Sequence, residues 1–359
     1  MQKEGEDSGD IQLDVDAEVE DIQLTAEDEG IVQAVRESID LQRNRQPSSA
    51  EEEQPTAGER LTDQDKSPEV YLEGEPAETR NITTAKGVVK VQIHGDLKQP
   101  AIVTYHAVGL NAKTAWNGFV NYPGIDKIFS RTCLINFIAP GQHDGAAALH
   151  PRYKPTINDL VDQVKEAIGI LGVRYFVAMG VGGGAHVMLH YALQHPKPVR
   201  GLIFISGNAD SEGFLSWGKG LLDKAMWSAE GPVPERVVNG FVSRFFSNDA
   251  VTANTKLVQK YKEEIAKLNP ANLAHFGAVI NSRDNLLKRV NAELSCPLLL
   301  ITGKEGPSHP NVMELYSRLD PSKCASTLVE IPGAGDLCHI EDPEPIREAL
   351  HLWLFSMGI

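Results

Sequence analysis

With 359 residues, the chain has room for one large α/β domain or two smaller ones. Its formal charge of -15 is unevenly spread: residues 1–80 hold 24 of the 49 acidic and 7 of the 34 basic side chains, a net of -17, leaving 25 acidic and 27 basic for residues 81–359. That near-neutral remainder offers no basic face, so nucleic acid is not an expected partner. The four cysteines, Cys133, Cys296, Cys324 and Cys338, lack metal-type spacing and suit a reducing compartment better than a disulfide framework. Met1–Asp10 is acidic and polar, unlike a secretory leader, and no apolar run nears the ~20 residues that span a bilayer. The last residues carry no prenylation cysteine. A cytoplasmic protein without a transmembrane segment is expected.

Residues 1–80 are rich in Glu, Asp, Gln and Ser and poor in aromatics, a composition that favours disorder. Within them Ile11, Leu13, Val15, Ala17 and Val19 alternate with polar residues in a strand-like period. Thr25 with Asp28 resembles a capping box, and Ile31, Val32, Val35, Ile39 and Leu41 after it suit a short amphipathic helix. A solvated acidic tail and a segment that folds on a partner both fit.

The folded part is expected from about Asn81. Val88, Val89, Val91 and Ile93 suggest a hairpin strand after a turn at Gly87. Ile102–Tyr105 reads as a buried strand leading into His106, Ala107, Val108 and Gly109. Cys133–Ile138 is another, ending in Ala139, Pro140 and Gly141. Asp159–Leu171 carries Leu160, Val161, Val164, Ile168 and Leu171 on one helical stripe, with Thr156 or Asn158 as its cap.

Tyr175–Met179, the glycines Gly180, Gly182, Gly183 and Gly184, and an apolar helix through Leu193 then form a strand, a tight turn and a helix. That is the context of a nucleophile elbow, in which G-x-S-x-G holds a serine above the sheet. Here the middle position is Gly182, which has no side chain. Gly180, Gly182 and Ala185 also fit the dinucleotide pattern G-x-G-x-x-G/A. That pattern wants an acidic residue closing the next strand, and the next strand, Leu202–Ile205, is followed by Ser206, Gly207 and Asn208.

Residues from about 207 to 290 break the alternation of strands and helices. They hold Trp217, Leu221, Leu222, Met226 and Trp227, then Val237, Phe241, Phe245 and Phe246, then a helical stretch at Leu257–Leu268. A helical cap over the carboxyl end of the sheet is expected. Alternation resumes with the strand Pro297–Thr302, a helix near Val312–Leu319, the strand Thr327–Ile331 and a helix over Pro345–Phe355. The order predicts an α/β fold, a mostly parallel sheet flanked by helices with a cap insertion.

The stretches PAIVTYHAVGLNAKTAW, FIAPGQHDGA and MGVGGGAHVMLHYALQHP, with RFFSNDAVTANTKLVQKYKEEIAKLNPANL and NSRDNLL in the cap, resemble the N-myc downstream-regulated (NDR) family over roughly residues 81–357. The resemblance implies an α/β-hydrolase fold without enzymatic activity and a role in stress, differentiation or trafficking signalling. Three departures stand out. Ala107 replaces the aspartate of the family's Y-H-D loop, Ser282 and Arg283 stand where the cap motif has an arginine pair, and little chain follows the final helix. Regulation through a phosphorylatable C-terminal tail is therefore not expected.

Acyl transfer on such a scaffold needs a nucleophile, an acid and a histidine in that chain order. Gly182 cannot attack. Glu305 stands near the acid position, and Asp336 takes the place where a histidine follows the last strand, with His339 three residues on. His106 reads as a residue that shapes its loop, Ala107 and Gly183 as surviving backbone donors, and His143 with Asp144 as polar lining for any remaining pocket. No catalytic, cofactor-binding or metal-binding residue is expected. A non-enzymatic adaptor with protein partners is the leading expectation. A receptor for a small molecule under the cap is the second. An enzyme using non-triad residues such as His106, His143 or Asp336 is the third.

Overall fold

The computed structural model describes residues 78–211 and 231–359. The expectations for the acidic segment up to residue 77, and for Trp217, Leu221, Leu222, Met226 and Trp227, fall outside these. Eight described strands form one sheet: β1 (Glu78–Thr84), β2 (Gly87–His94), β3 (Ala101–Tyr105), β4 (Cys133–Ile138), β5 (Phe176–Val181), β6 (Val199–Ile205), β7 (Leu298–Gly303) and β8 (Ser326–Ile331). Their order is β1-β2-β4-β3-β5-β6-β7-β8. The strands from β4 to β8 pair in parallel, and β2 runs antiparallel to both β1 and β4.

The sequence shows why the middle of the sheet is covered on both faces. Every residue of β3, β4, β5 and β7 is buried, the continuous pattern of a parallel sheet between two helical layers. Asn136 in β4 accepts from Thr104 Oγ1 through its carboxamide oxygen at 2.8 Å, while its Nδ2 is buried without a partner among the described residues. β1 was not anticipated from the sequence. Its residues ETRNITT bury only Ile82 and Thr84, so the apolar alternation that marks a half-buried strand is almost missing.

A π-helical turn (Lys113–Asn117) runs into a one-turn helix (Gly118–Val120), and the longer helices before the cap are α1 (Ile125–Phe129), α2 (Ile157–Leu171) and α3 (Gly183–Gln194). Thr156 caps α2 in a full capping box with Asp159, and Gly172 ends it in the left-handed conformation at φ 73. Between β6 and β7 come α4 (Glu235–Phe245), α5 (Asn248–Thr252), α6 (Lys256–Ala266), α7 (Pro270–Asn281) and α8 (Leu287–Glu293). Three of these start on a side-chain cap, Ser247 for α5, Thr255 for α6 and Asn269 for α7. The remaining helices are α9 (His309–Arg318), α10 (Cys338–Glu341) and α11 (Glu344–Phe355).

Strand order reverses about β3, with β4 on one side and β5 on the other. Loops leaving the carboxyl ends of β3 and β5 therefore diverge and open a crevice, the usual ligand position in open α/β sheets.

Candidate functional site

Gly182 is the N-cap of α3, with φ 56 and ψ -120. A residue with a side chain is strained there, and glycine is not. The crowding around the turn explains the other glycines. A Cβ on Gly180 would meet the Ala185 backbone at 2.5 Å, one on Gly184 would meet the Tyr105 carbonyl oxygen at 2.1 Å, and one on Gly183 would press on Ile280 of α7 at 3.0 Å. Strand, turn and helix approach this closely only without side chains. A Cβ on Gly182 itself would lie 3.0 Å from the Ala107 Cβ.

His106 is fully buried and joins the loops after β3 and β4. A carbonyl only accepts, so Nδ1 carries the hydrogen and donates to Ala107 O at 2.8 Å, while Nε2 accepts from Ala139 N at 2.9 Å. Burial holds its pKa at about 4, which keeps this tautomer neutral. His106 therefore shapes the loop, as its position suggested.

Asp336 is buried and serves as a clamp. Its carboxylate accepts from Ser308 N at 3.0 Å and Ser308 Oγ at 2.9 Å, and pairs with Arg244 Nε of α4 at 2.9 Å. Burial pushes its pKa up, opposed by Arg244 and the two Ser308 bonds. The main chain continues the clamp, with Asp336 N bonding Arg244 O at 3.2 Å and Leu337 N bonding Phe245 O at 2.8 Å. Glu341 adds to it: its carboxylate accepts from Ser247 N and Oγ and from Gly335 N. The junction of α4 and α5 is thus tied to the loop after β8 through both side chains and backbone.

The other triad candidates do not converge. Glu305 is exposed, and its carboxylate accepts from Asn248 N at 3.4 Å. His339 is fully buried, donates through Nε2 to Ala115 O at 2.9 Å, and lies against the Trp116 and Phe119 rings. Burial holds its pKa at about 4.

A cavity of about 40 Å³ remains beneath the cap, with Ala107, Gly182, Gly183, Ser206, Arg283 and Asp336 in its wall. That volume fits roughly three waters, whereas ligand pockets run to about 300–1,000 Å³. Phe241, Phe245 and Ile280 line the cavity from the cap side. His186 also reaches the wall, with Nδ1 bonded to Asn208 O at 2.9 Å and Nε2 buried without a partner among the described residues. Ser206, at the end of β6, holds φ 42. Arg283, the surviving arginine of the cap motif, donates to Asp210 O at 2.7 Å and Ile280 O at 3.1 Å.

Two expectations change. His143 and Asp144 do not line the cavity; Asp144 instead accepts from Asn111 Nδ2 at 2.7 Å. The loop after β4 turns away because Asn272 of α7 seats on it, donating to Gly141 O and Ala147 O and accepting from Leu149 N. Of His106, His143 and Asp336, only Asp336 reaches the cavity. The contribution of Arg244 was not foreseen, because nothing in the sequence links it to a residue 92 positions on.

Among the described residues no group of three or more His, Cys, Asp or Glu is placed to hold a metal. No described helix is long and apolar enough to cross a membrane.

A model of the Ndr family matches residues 79–359. The chain is 32% identical to Protein NDRG1-A of Xenopus laevis over 308 residues, 83% of this chain and 75% of that protein. It is 30% identical to Protein NDRG3 of Xenopus laevis over 307 residues, 82% of this chain and 79% of that protein. Among solved structures it is similar to a hydrolase from Pseudomonas aeruginosa PA01, at TM-score 0.64 and 17% identity over 77% of this chain and 98% of that one. A thermophilic esterase from Thermogutta terrifontis matches at TM-score 0.63 and 17% identity over 79% of this chain and 100% of that one. At such identities the structures establish the α/β-hydrolase fold alone.

Proposed function

Because the chain belongs to the Ndr family, we propose that it uses the α/β-hydrolase scaffold as a binding platform, as a non-enzymatic adaptor in cytoplasmic signalling, and does not carry out acyl transfer. Gly182 carries this reading. The turn keeps the strained backbone that presents a nucleophile, φ 56 and ψ -120, around a residue with nothing to present. Removing a triad nucleophile costs on the order of a millionfold in turnover.

The surroundings support the same reading. Asp336, at the place where a histidine would follow the last strand, spends its carboxylate on Arg244 and Ser308. His339 has its Nε2 engaged by a main-chain carbonyl. A cavity of about 40 Å³ leaves little room for an ester substrate, so recognition falls to the surface and to protein partners. Intact-mass measurement after incubation with a fluorophosphonate tests the reading. No adduct is expected, and a single stoichiometric adduct on a residue in the cavity wall would overturn it.

A further inference from the structure

Cys296 and Cys324 lie 28 residues apart in sequence and meet in the fold. Each stands two residues ahead of a strand, Cys296 before β7 and Cys324 before β8. The two strands pair in parallel with Leu298 opposite Ser326, and Leu298 N bonds Ala325 O at 2.9 Å. Cys296 and Cys324 each stand two places before that first pair, at the mouth of the two strands. Cys324 is also close enough to raise the pKa of the Cys296 thiol. The contact is direct: the Cys324 thiol donates to the Cys296 carbonyl at 3.4 Å. Neighbouring strands lie about 4.8 Å apart, inside the Cα separation of about 4.4–6.8 Å that a disulfide requires.

The geometry points to a redox modification site in which Cys296 and Cys324 close to a disulfide with a hydroperoxide as oxidant. The pair is buried, at 6% and 3% exposure, so access comes from the sheet edge. β8 is the outermost strand, and the turn that Cys324 closes has exposed residues at 321, 322 and 323. Sheet edges open more readily than cores. Burial also holds the Cys296 thiol up at about 12 and raises that of Cys324, so the closed edge reacts slowly and the frayed edge carries the chemistry.

The steps balance without another reductant or oxidant. The Cys324 thiolate attacks one oxygen of the hydroperoxide, forming a sulfenic acid and releasing an alcohol (water, from hydrogen peroxide) that takes up the thiol proton. The Cys296 sulfur then displaces the sulfenic oxygen, which leaves as water with the Cys296 proton, and the S–S bond forms. The two electrons lost by the thiols reduce the O–O bond. The disulfide staples the start of β8 to β7, and the far end of β8 leads into the loop at 333–336 that clamps the cap.

The full chain with its four free thiols is the test material, treated with hydrogen peroxide and then denatured for thiol counting and peptide mapping. The count is expected to fall from four to two, with the link mapped between Cys296 and Cys324. Tm is expected to rise by about 5–10 °C and to return with dithiothreitol. Cys324→Ser should show no such rise. Four persisting thiols, or a link that involves Cys133, Cys338 or a second molecule, would overturn the assignment. The map on the unsubstituted chain decides the matter even if Cys324→Ser fails to fold.

Discussion

Replacing Gly182 with serine puts a side chain on a backbone at φ 56 and sets its Cβ 3.0 Å from that of Ala107. The strain predicts a loss of about 1–3 kcal/mol in urea unfolding. No ester turnover should accompany it, because the His339 Nε2 that would serve as base is held by Ala115 O. Gly184→Ala should cost more, since its Cβ would fall 2.1 Å from the Tyr105 carbonyl oxygen and backbone cannot step aside as a side chain can. Equal losses for the two variants would contradict this account of the turn. At this scale the sequence was informative where function depends on one residue's backbone or its lack of a side chain, as at Gly182. It was silent where function depends on a partner far along the chain. Arg244 and Asp336, His339 and Ala115, and Cys296 and Cys324 are all pairs of this kind.

The cap helices are joined to the sheet through particular contacts, and α4 depends on the one between Arg244 and Asp336. Arg244→Ala leaves a buried carboxylate without its cation, which predicts a loss of about 3–5 kcal/mol. Replacing both residues, Arg244→Met with Asp336→Leu, should cost less than Arg244→Ala alone, because no charge is then stranded. Urea melts of the single and double variants check this, and a double variant at least as unstable as the single would contradict it. Thr156→Ala should cost about 1 kcal/mol through loss of the capping box of α2. Elements were legible where a period and a cap coincide, as in α2, and where a strand is buried on both faces, as in β4. β1 was not legible because as a hairpin edge it buries just two side chains.

Across the whole molecule the buried histidines set the response to pH. His106 and His339 are held at about 4 and His186 at about 3 by burial, while in the unfolded chain they titrate near 6.5. Between pH 6.5 and 4 the unfolded state therefore binds more protons, so stability is full above about pH 6.5 and falls as the pH drops toward 4. The loss is about 1.4 kcal/mol per pH unit for each such histidine. Asp336 and Glu341 act in the opposite sense. Burial raises their folded pKa values, so the stability they lend is greatest when they are protonated and is lost as the pH rises through those values. With His190 also buried and its pKa lowered by burial, four histidines against two carboxyls predict a Tm that falls from pH 7 to pH 5, and a flat profile would contradict the neutral buried state of the rings.

The α/β architecture was legible from the alternation of strands and helices, because each buried strand announces itself locally. The small size of the cavity was not, since it depends on where the lining residues Phe241, Phe245 and Ile280 come to rest once the cap packs. That small volume, with the empty position at Gly182, is the core of the proposal that this scaffold binds and does not catalyse. Steady-state turnover of a panel of short- and medium-chain esters tests it most directly, run on the unsubstituted chain beside Glu305→Gln and His339→Asn. The account predicts rates at the buffer background for all three. Saturable turnover by the unsubstituted chain, lost in either variant, would contradict it.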